Sequence, residues 1–322
     1  MKTLASFILG LSFAVSSLSG AEIVAKKQST AEHLQNVSVT IRSEAAWSAG
    51  EGSGVIFTRK DAKGNLVNFV WTAGHVIDNL RSERKILVNG SPKTLVEFKD
   101  PVIIKEIRQN GRTVGRLQMD AEVLKYSESE DGHDLALLRV RKFNFVTDSV
   151  VFYLDKPIPP LGTDLLHVGS LLGQMGANSM TDGIYSQHGR ILKNLNKHIF
   201  DQTTCTAFPG SSGGGVFLKH GVGGNTNPRY VGMLVRGAGE GFNLIVPIRM
   251  MVDYCEKHKI MWALDANVKM PAEEELKKMS IENTPKRKEE AKDEEKEAAK
   301  KMFPFMLRIT YPKMLIIEKG SR

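Results

Sequence analysis

From residue 37 to residue 246 the chain is a succession of short segments rich in apolar and β-branched residues, each closed by Gly, Asn, Asp or Pro. Val37-Ser38-Val39-Thr40-Ile41 alternates with period two, as a half-buried strand does because successive side chains point to opposite faces. Gly54 to Arg59 and Leu66 to Thr72 read as strands joined by the turn-rich link Asp61-Ala62-Lys63-Gly64-Asn65. Ile86 to Val88, Thr94 to Phe98, Val102 to Ile107, Thr113 to Met119 and Ala121 to Tyr126 continue the series, and Leu135 to Val140 is apolar at nearly every position. After a proline-bearing crossover, Lys142 to Pro160, a second set follows: Leu165 to Val168, Gly183 to Leu192, Thr203 to Ala207, Gly214 to Leu218, Tyr230 to Arg236 and Phe242 to Val246. Many short strands at regular spacing predict an all-β architecture of closed antiparallel barrels in two halves. No unit of about 20 to 50 residues repeats, which disfavours a propeller or solenoid. Pro247 then opens a helix with Ile248, Met251, Val252 and Cys255 on one face.

Chemistry concentrates in Pro209-Gly210-Ser211-Ser212-Gly213-Gly214-Gly215, directly before an apolar strand. Serine is a weak nucleophile until a base takes its proton and donors stabilise the oxyanion its attack creates. Glycines let the backbone turn sharply and aim bare N–H groups at one point, so Gly210 and Ser212 are candidate oxyanion donors. Read alone, the stretch fits a glycine-rich turn equally well. A base and its orienting carboxylate are also present. Thr72-Ala73-Gly74-His75 ends an apolar strand, and Asp134 stands immediately before the wholly apolar Leu135–Val140 run. A carboxylate at the edge of such a buried strand needs a partner. The chain order is His75, Asp134, Ser212.

These stretches together resemble the trypsin-like (chymotrypsin-fold) serine proteases, and most closely the HtrA/Deg-type bacterial branch. Gly52-Ser53-Gly54-Val55 resembles the family's GSGV strand, Thr72-Ala73-Gly74-His75 its TAAH/TNAH turn with Gly74 as a departure, and Asp134-Leu135-Ala136 its aspartate strand. Gly183-Ile184-Tyr185-Ser186 with Gly189-Arg190 resembles a further segment, and Gly210-Ser211-Ser212-Gly213-Gly214 resembles GNSGG with Ser211 in place of Asn. The resemblance covers roughly residues 30 to 265. It implies two six-stranded antiparallel β-barrels with a C-terminal helix, and a serine endopeptidase with His75, Asp134 and Ser212 as its triad. It also implies a specificity pocket floored by Thr206, six positions before the nucleophile, and substrate pairing by the main chain of Leu234, Val235 and Arg236. Nothing acidic occupies the floor, so small or medium apolar side chains rank first. Arg236 is expected to face solvent; turned inward, it would select Asp or Glu. The aspartate that trypsins carry directly before the nucleophile is absent, which implies no zymogen cleavage of the trypsin kind.

Met1-Lys2-Thr3 followed by the apolar stretch Leu4 to Leu18 and Ser19-Gly20-Ala21 reads as a cleavable leader over residues 1–21, hence an exported, periplasmic or secreted protein without stable membrane insertion. Residues 22–35 form a polar N-terminal segment expected to be poorly ordered, residues 36–265 the protease domain, and residues 266–322 a charged, flexible tail where HtrA proteases would continue into a PDZ domain. The formal charge is +8. Between residues 272 and 301, ten acids face nine bases, so the excess lies elsewhere. With no interleaved aromatic and basic pattern, nucleic acid is not an expected partner; protein or peptide substrates are. Cys205 and Cys255, the two cysteines, are expected as buried free thiols. No His-x-x-x-His, Cys-x-x-Cys or Gly-Lys-Ser/Thr stretch exists, and neither metal nor other cofactor is expected. Two rivals stand beside the protease: a catalytically silent barrel used for binding, and an esterase. The esterase elbow places Ser before His, the reverse of this chain.

Overall fold

The computed structural model describes residues 28–88, 91–109, 111–130, 132–192, 198–220, 228–237 and 239–279; the expected leader at 1–21 and the tail beyond Met279 lie outside the described residues. Helix α1 (Thr30–Asn36) leads into β1 (Ser38–Glu44), β2 (Ala49–Lys60) and β3 (Leu66–Thr72), then the single turn α2 (Gly74–Ile77). β4 (Arg81–Val88) and β5 (Ser91–Phe98) pair only with each other, before β6 (Val102–Gln109), β7 (Arg112–Ser127) and β8 (Leu135–Val140). β9 (Asp164–Leu171), β10 (Gly176–Ile191), β11 (Ile199–Thr203), β12 (Gly215–Leu218), β13 (Tyr230–Gly237) and β14 (Asn243–Pro247) follow, then α3 (Ile248–Lys257) and α4 (Glu273–Met279).

The strands close into two six-stranded antiparallel barrels, in order β1-β2-β3-β8-β7-β6 and β10-β11-β14-β13-β12-β9, as the sequence predicts. Local chemistry explains the turns. The β2–β3 link is an Asx turn in which Asp61 Oδ1 accepts from the N–H groups of Lys63 and Asn65 at 2.8 Å each, with Gly64 at φ 84°. The crossover ties the halves together: Val150 N donates to Ile56 O at 3.1 Å in the first barrel, and Tyr153 N donates to Tyr230 O at 2.9 Å in the second. After α3 the chain returns to the first barrel, where Trp262 packs edge-on against Phe69 and Trp71 Nε1 donates to Ala263 O at 3.0 Å.

Three expectations are corrected. The two strands expected at 113–119 and 121–126 are one continuous β7, which forms a hairpin with β6, and β4 and β5 add a separate ribbon between His75 and Asp134. The segment before residue 36 is not poorly ordered over its described part. Ser29 and Glu32 form a reciprocal capping box, and Leu34 is fully buried, which anchors a helix too short to be stable alone. The start of the tail is packed as well. Leu276 is fully buried on α4, and Glu273 meets Arg139 of β8 at 2.5 Å.

Candidate active site

The register of the first barrel brings His75 and Asp134 together. Thr72 of β3 stands opposite Ala136 of β8, so the chain three residues past Thr72 and two before Ala136 emerges at the same barrel end. There His75 Nδ1 lies 2.9 Å from Asp134 Oδ2 and 3.0 Å from Oδ1, and the His75 N–H also donates to Oδ1 at 3.0 Å. An ionised carboxylate only accepts, so Nδ1 carries the proton and Nε2 is left with its lone pair. Burial is unequal: the Asp134 side chain is 2% exposed and that of His75 34%. The carboxylate is held dry and the imidazole can reach a substrate.

Asp134 is placed by a tight loop. It adopts φ 54°, a region sparsely populated by residues other than glycine, and its N–H donates to Glu128 O at 3.0 Å. His133 N donates to Ser127 Oγ at 2.7 Å, closing the loop behind it. The Ser127 carbonyl oxygen occupies the space where a Cβ on Gly74 would stand, and Asp134 Oδ1 would be 3.4 Å from it. That crowding explains why glycine precedes His75 here.

The loop that carries Ser212 folds against the same barrel end. Gly210 (φ 95°) and Gly213 (φ 85°) bracket the two serines in conformations that L side chains rarely adopt. A Cβ on Gly213 would overlap Ser53 O and Thr72 Oγ1 and lie 3.0 Å from Ala73 N, so the loop abuts the end of the strand that carries His75. Gly213 N donates to Leu234 O at 2.7 Å, and Ser53 N donates to Ser212 O at 2.7 Å. The two serines differ. Ser211 is fully buried, its N–H donating to Phe208 O at 2.9 Å and its Oγ accepting from Phe208 N at 3.1 Å, whereas Ser212 is only half-buried. The N–H groups of Gly210 and Ser212 have no acceptor among the described residues. His167 backs the loop, fully buried with Nδ1 3.0 Å from Gly215 O; burial lowers it to about 4, so it is neutral.

The expected specificity residues are less uniformly placed. Thr206 is half-buried, and its carbonyl accepts from Thr181 Oγ1 at 2.8 Å. Both main-chain groups of Leu234 are taken, since its N–H donates to Gly214 O at 3.0 Å and its oxygen accepts from Gly213 N. This corrects the expectation that Leu234 pairs with substrate. Val235 is buried at an irregularity in the β13–β14 pairing. Arg236 does not simply face solvent: half-buried, it donates from Nη2 to Ser129 O at 2.9 Å, in the loop that carries Asp134. Cys205 and Cys255 are unpaired and buried, and burial pushes their thiols up to about 11 and about 12, so neither is a reactive thiolate. Among the described residues, no three His, Cys, Asp or Glu side chains are grouped to hold a metal ion.

A family model of the trypsin-like peptidase domain matches residues 52–222, just over half of the chain. The chain belongs to the trypsin-like peptidase family. The matched span holds His75, Asp134 and Ser212 but ends before β13 and α3. Among solved structures, this trypsin-like domain is similar to the HtrA-type protease AlgW with a tripeptide (17% identity, TM-score 0.50, 72% of this chain and 62% of that one). It is also similar to a serine endoprotease from Yersinia pestis (20%, 0.48, 71% and 64%) and to Deg5 (18%, 0.49, 73% and 94%). At 17% identity the likeness to AlgW is one of fold, and the chain spans less than two thirds of the length of the first two structures. No curated protein matches the sequence.

Proposed function

We propose that this chain is a serine endopeptidase that hydrolyses peptide bonds through His75, Asp134 and Ser212. The observation that carries the reading is the His75–Asp134 pair, with its Nδ1 proton directed at a buried carboxylate, at the barrel end against which the Ser212 loop is folded. Ser212 Oγ attacks the scissile carbonyl carbon while His75 Nε2 takes its proton; Asp134 holds the tautomer and stabilises the imidazolium. The N–H groups of Gly210 and Ser212 receive the oxyanion. Collapse expels the amine, which takes the proton from His75 and leaves an acyl-enzyme, and water reverses the sequence to release the acid.

Substrate pairs as an added strand with the main chain of Val235 and Arg236. With Thr206 uncharged at the pocket floor and the Arg236 guanidinium committed to Ser129 O, the pocket takes a small or medium apolar side chain. The unit that performs this runs from α1 to α4, wider at both ends than residues 36–265. The leader-like stretch at 1–21 directs the protein to export, and exported or unfolded proteins are its substrates. No helix among the described residues is long and apolar enough to cross a membrane. Casein digestion tests the reading: wild type is expected to cleave it, and Ser212→Ala and His75→Ala to fall by roughly 10⁶-fold, because triad members act as a unit. Full activity in Ser212→Ala with loss in Ser211→Ala would overturn the assignment.

A further inference from the structure

Ser53 lies in the first barrel, yet its polar atoms serve the nucleophile loop of the second. It is fully buried on β2 between two glycines. Its N–H donates to Ser212 O at 2.7 Å, and its Oγ donates to Gly210 O at 2.6 Å. The same Oγ accepts from Ser170 N at 2.7 Å, so its single proton is committed to Gly210 O.

The carbonyl of Gly210 and the N–H of Ser211 share one rigid peptide plane. That plane lies between the two oxyanion donors, Gly210 N–H on one side and Ser212 N–H on the other. Ser53 Oγ holds its oxygen end, and Phe208 O accepts from its N–H end at 2.9 Å. The plane after Ser212 is held in the same way, by Ser53 N at the oxygen and by Leu234 O at Gly213 N–H. Gly210 and Gly213 have no Cβ to restrict rotation, so hydrogen bonds rather than side-chain sterics set these planes.

We propose that Ser53 is a positioning residue for transition-state stabilisation, setting the two oxyanion donors of the second barrel from a strand of the first. The inference rests on the function proposed above. It separates two effects that a general loss of structure would join. The oxyanion exists only once the carbonyl carbon becomes tetrahedral, so a mis-set plane lowers turnover while peptide binding along Val235 and Arg236 is untouched.

The test is Ser53→Ala, which keeps the N–H and removes the hydroxyl. Its kcat is expected to fall about 10-fold to 10²-fold, less than the roughly 10² to 10³ for outright loss of an oxyanion donor, with KM near the wild-type value. A peptide boronic acid, which adds to Ser212 Oγ as a tetrahedral adduct, should lose affinity by the same factor as kcat/KM. An uncleaved peptide should bind Ser212→Ala equally well with and without the second change. Thr40→Val, which removes the hydroxyl 2.5 Å from Ser170 Oγ, is the control for softening of the same region and should keep wild-type kcat. If Ser53→Ala does not fold, Ser53→Cys, similar in size and a weak donor, carries the same readouts. Unchanged kcat, or boronate and peptide affinity falling together, overturns the inference while leaving the protease reading intact. A wild type that neither cleaves peptide nor takes the boronate overturns both.

Discussion

Replacing Gly74 by alanine sets local propensity against tertiary packing. Gly74 opens the α2 turn, where alanine is intrinsically favoured over glycine by up to about 1 kcal/mol. The structure argues for the opposite sign. A Cβ there would overlap the Ser127 carbonyl oxygen and lie 3.4 Å from Asp134 Oδ1. Ordinary contact requires the two chain segments to part by about 1 Å, and inserting a methyl into a packed site costs about 1–3 kcal/mol. Ser127 begins the loop that holds Asp134 at φ 54°, and Gly74 immediately precedes His75, so the displacement falls on the 2.9 Å contact between them. A misplacement of that size lowers turnover by about 10²-fold, close to 2.7 kcal/mol of barrier. The assay is casein-peptide turnover alongside a thermal melt: kcat should fall by that factor, and Tm by roughly 2–4 °C for each kcal/mol of that cost. A Gly74→Ala protein with unchanged turnover and a raised Tm would refute the reasoning, because propensity would then have won.

Truncation separates the tail that packs from the rest. A chain ending after Ala266 loses the fully buried Leu276 and should melt lower than one ending after Met279, by an amount that Leu276→Ala, costing about 2–5 kcal/mol, largely reproduces; equal melting of the two truncations would count against α4 as part of the unit. Lys105 is buried with carbonyl partners at Gln35 and Glu106, and desolvation lowers it from 10.5 to about 8. Between those values the unfolded chain binds more protons, so the group's penalty is full below pH 8 and fades as pH rises towards 10.5. Lys105→Met should therefore gain more stability at pH 7 than at pH 10, by up to roughly 3 kcal/mol, in denaturant titrations; an equal change at both pH values would contradict this. Arg236→Ala should keep the preference for apolar residues before the cleaved bond in peptide-library digests. A wild-type preference for Asp or Glu that disappears in the variant would show the guanidinium turned into the pocket.

What could be read from the sequence was what short stretches encode. Alternating and wholly apolar runs bounded by turn residues fix strands, and their number fixes two barrels. Asp134 stands before a strand that is apolar at nearly every position, so its need for a partner is visible in the sequence. The glycines around Ser212 likewise announce a backbone that side chains would forbid. Contacts between distant segments were not visible. Ser53 and Gly210 are 157 residues apart, and Arg236 and Ser129 are 107 apart, with no pattern in either segment to pair them. The resemblance implies substrate pairing by Leu234, whereas its N–H donates to Gly214 O and its oxygen accepts from Gly213 N. The sequence does not announce α1, nor the burial of α4, because one buried leucine in each, Leu34 and Leu276, outweighs a polar composition. The capping box at Ser29 and Glu32 was the available signal for the first.

The central claim is that Ser212 is a nucleophile activated by His75. Treating the protein with a fluorophosphonate and locating the adduct by mass spectrometry of the peptide spanning Phe208 to Phe217 tests it without any knowledge of the natural substrate. One adduct is expected, on Ser212 and not on the buried Ser211, forming at a rate that collapses in His75→Ala. No adduct, an adduct on another residue, or a rate indifferent to His75→Ala would contradict it.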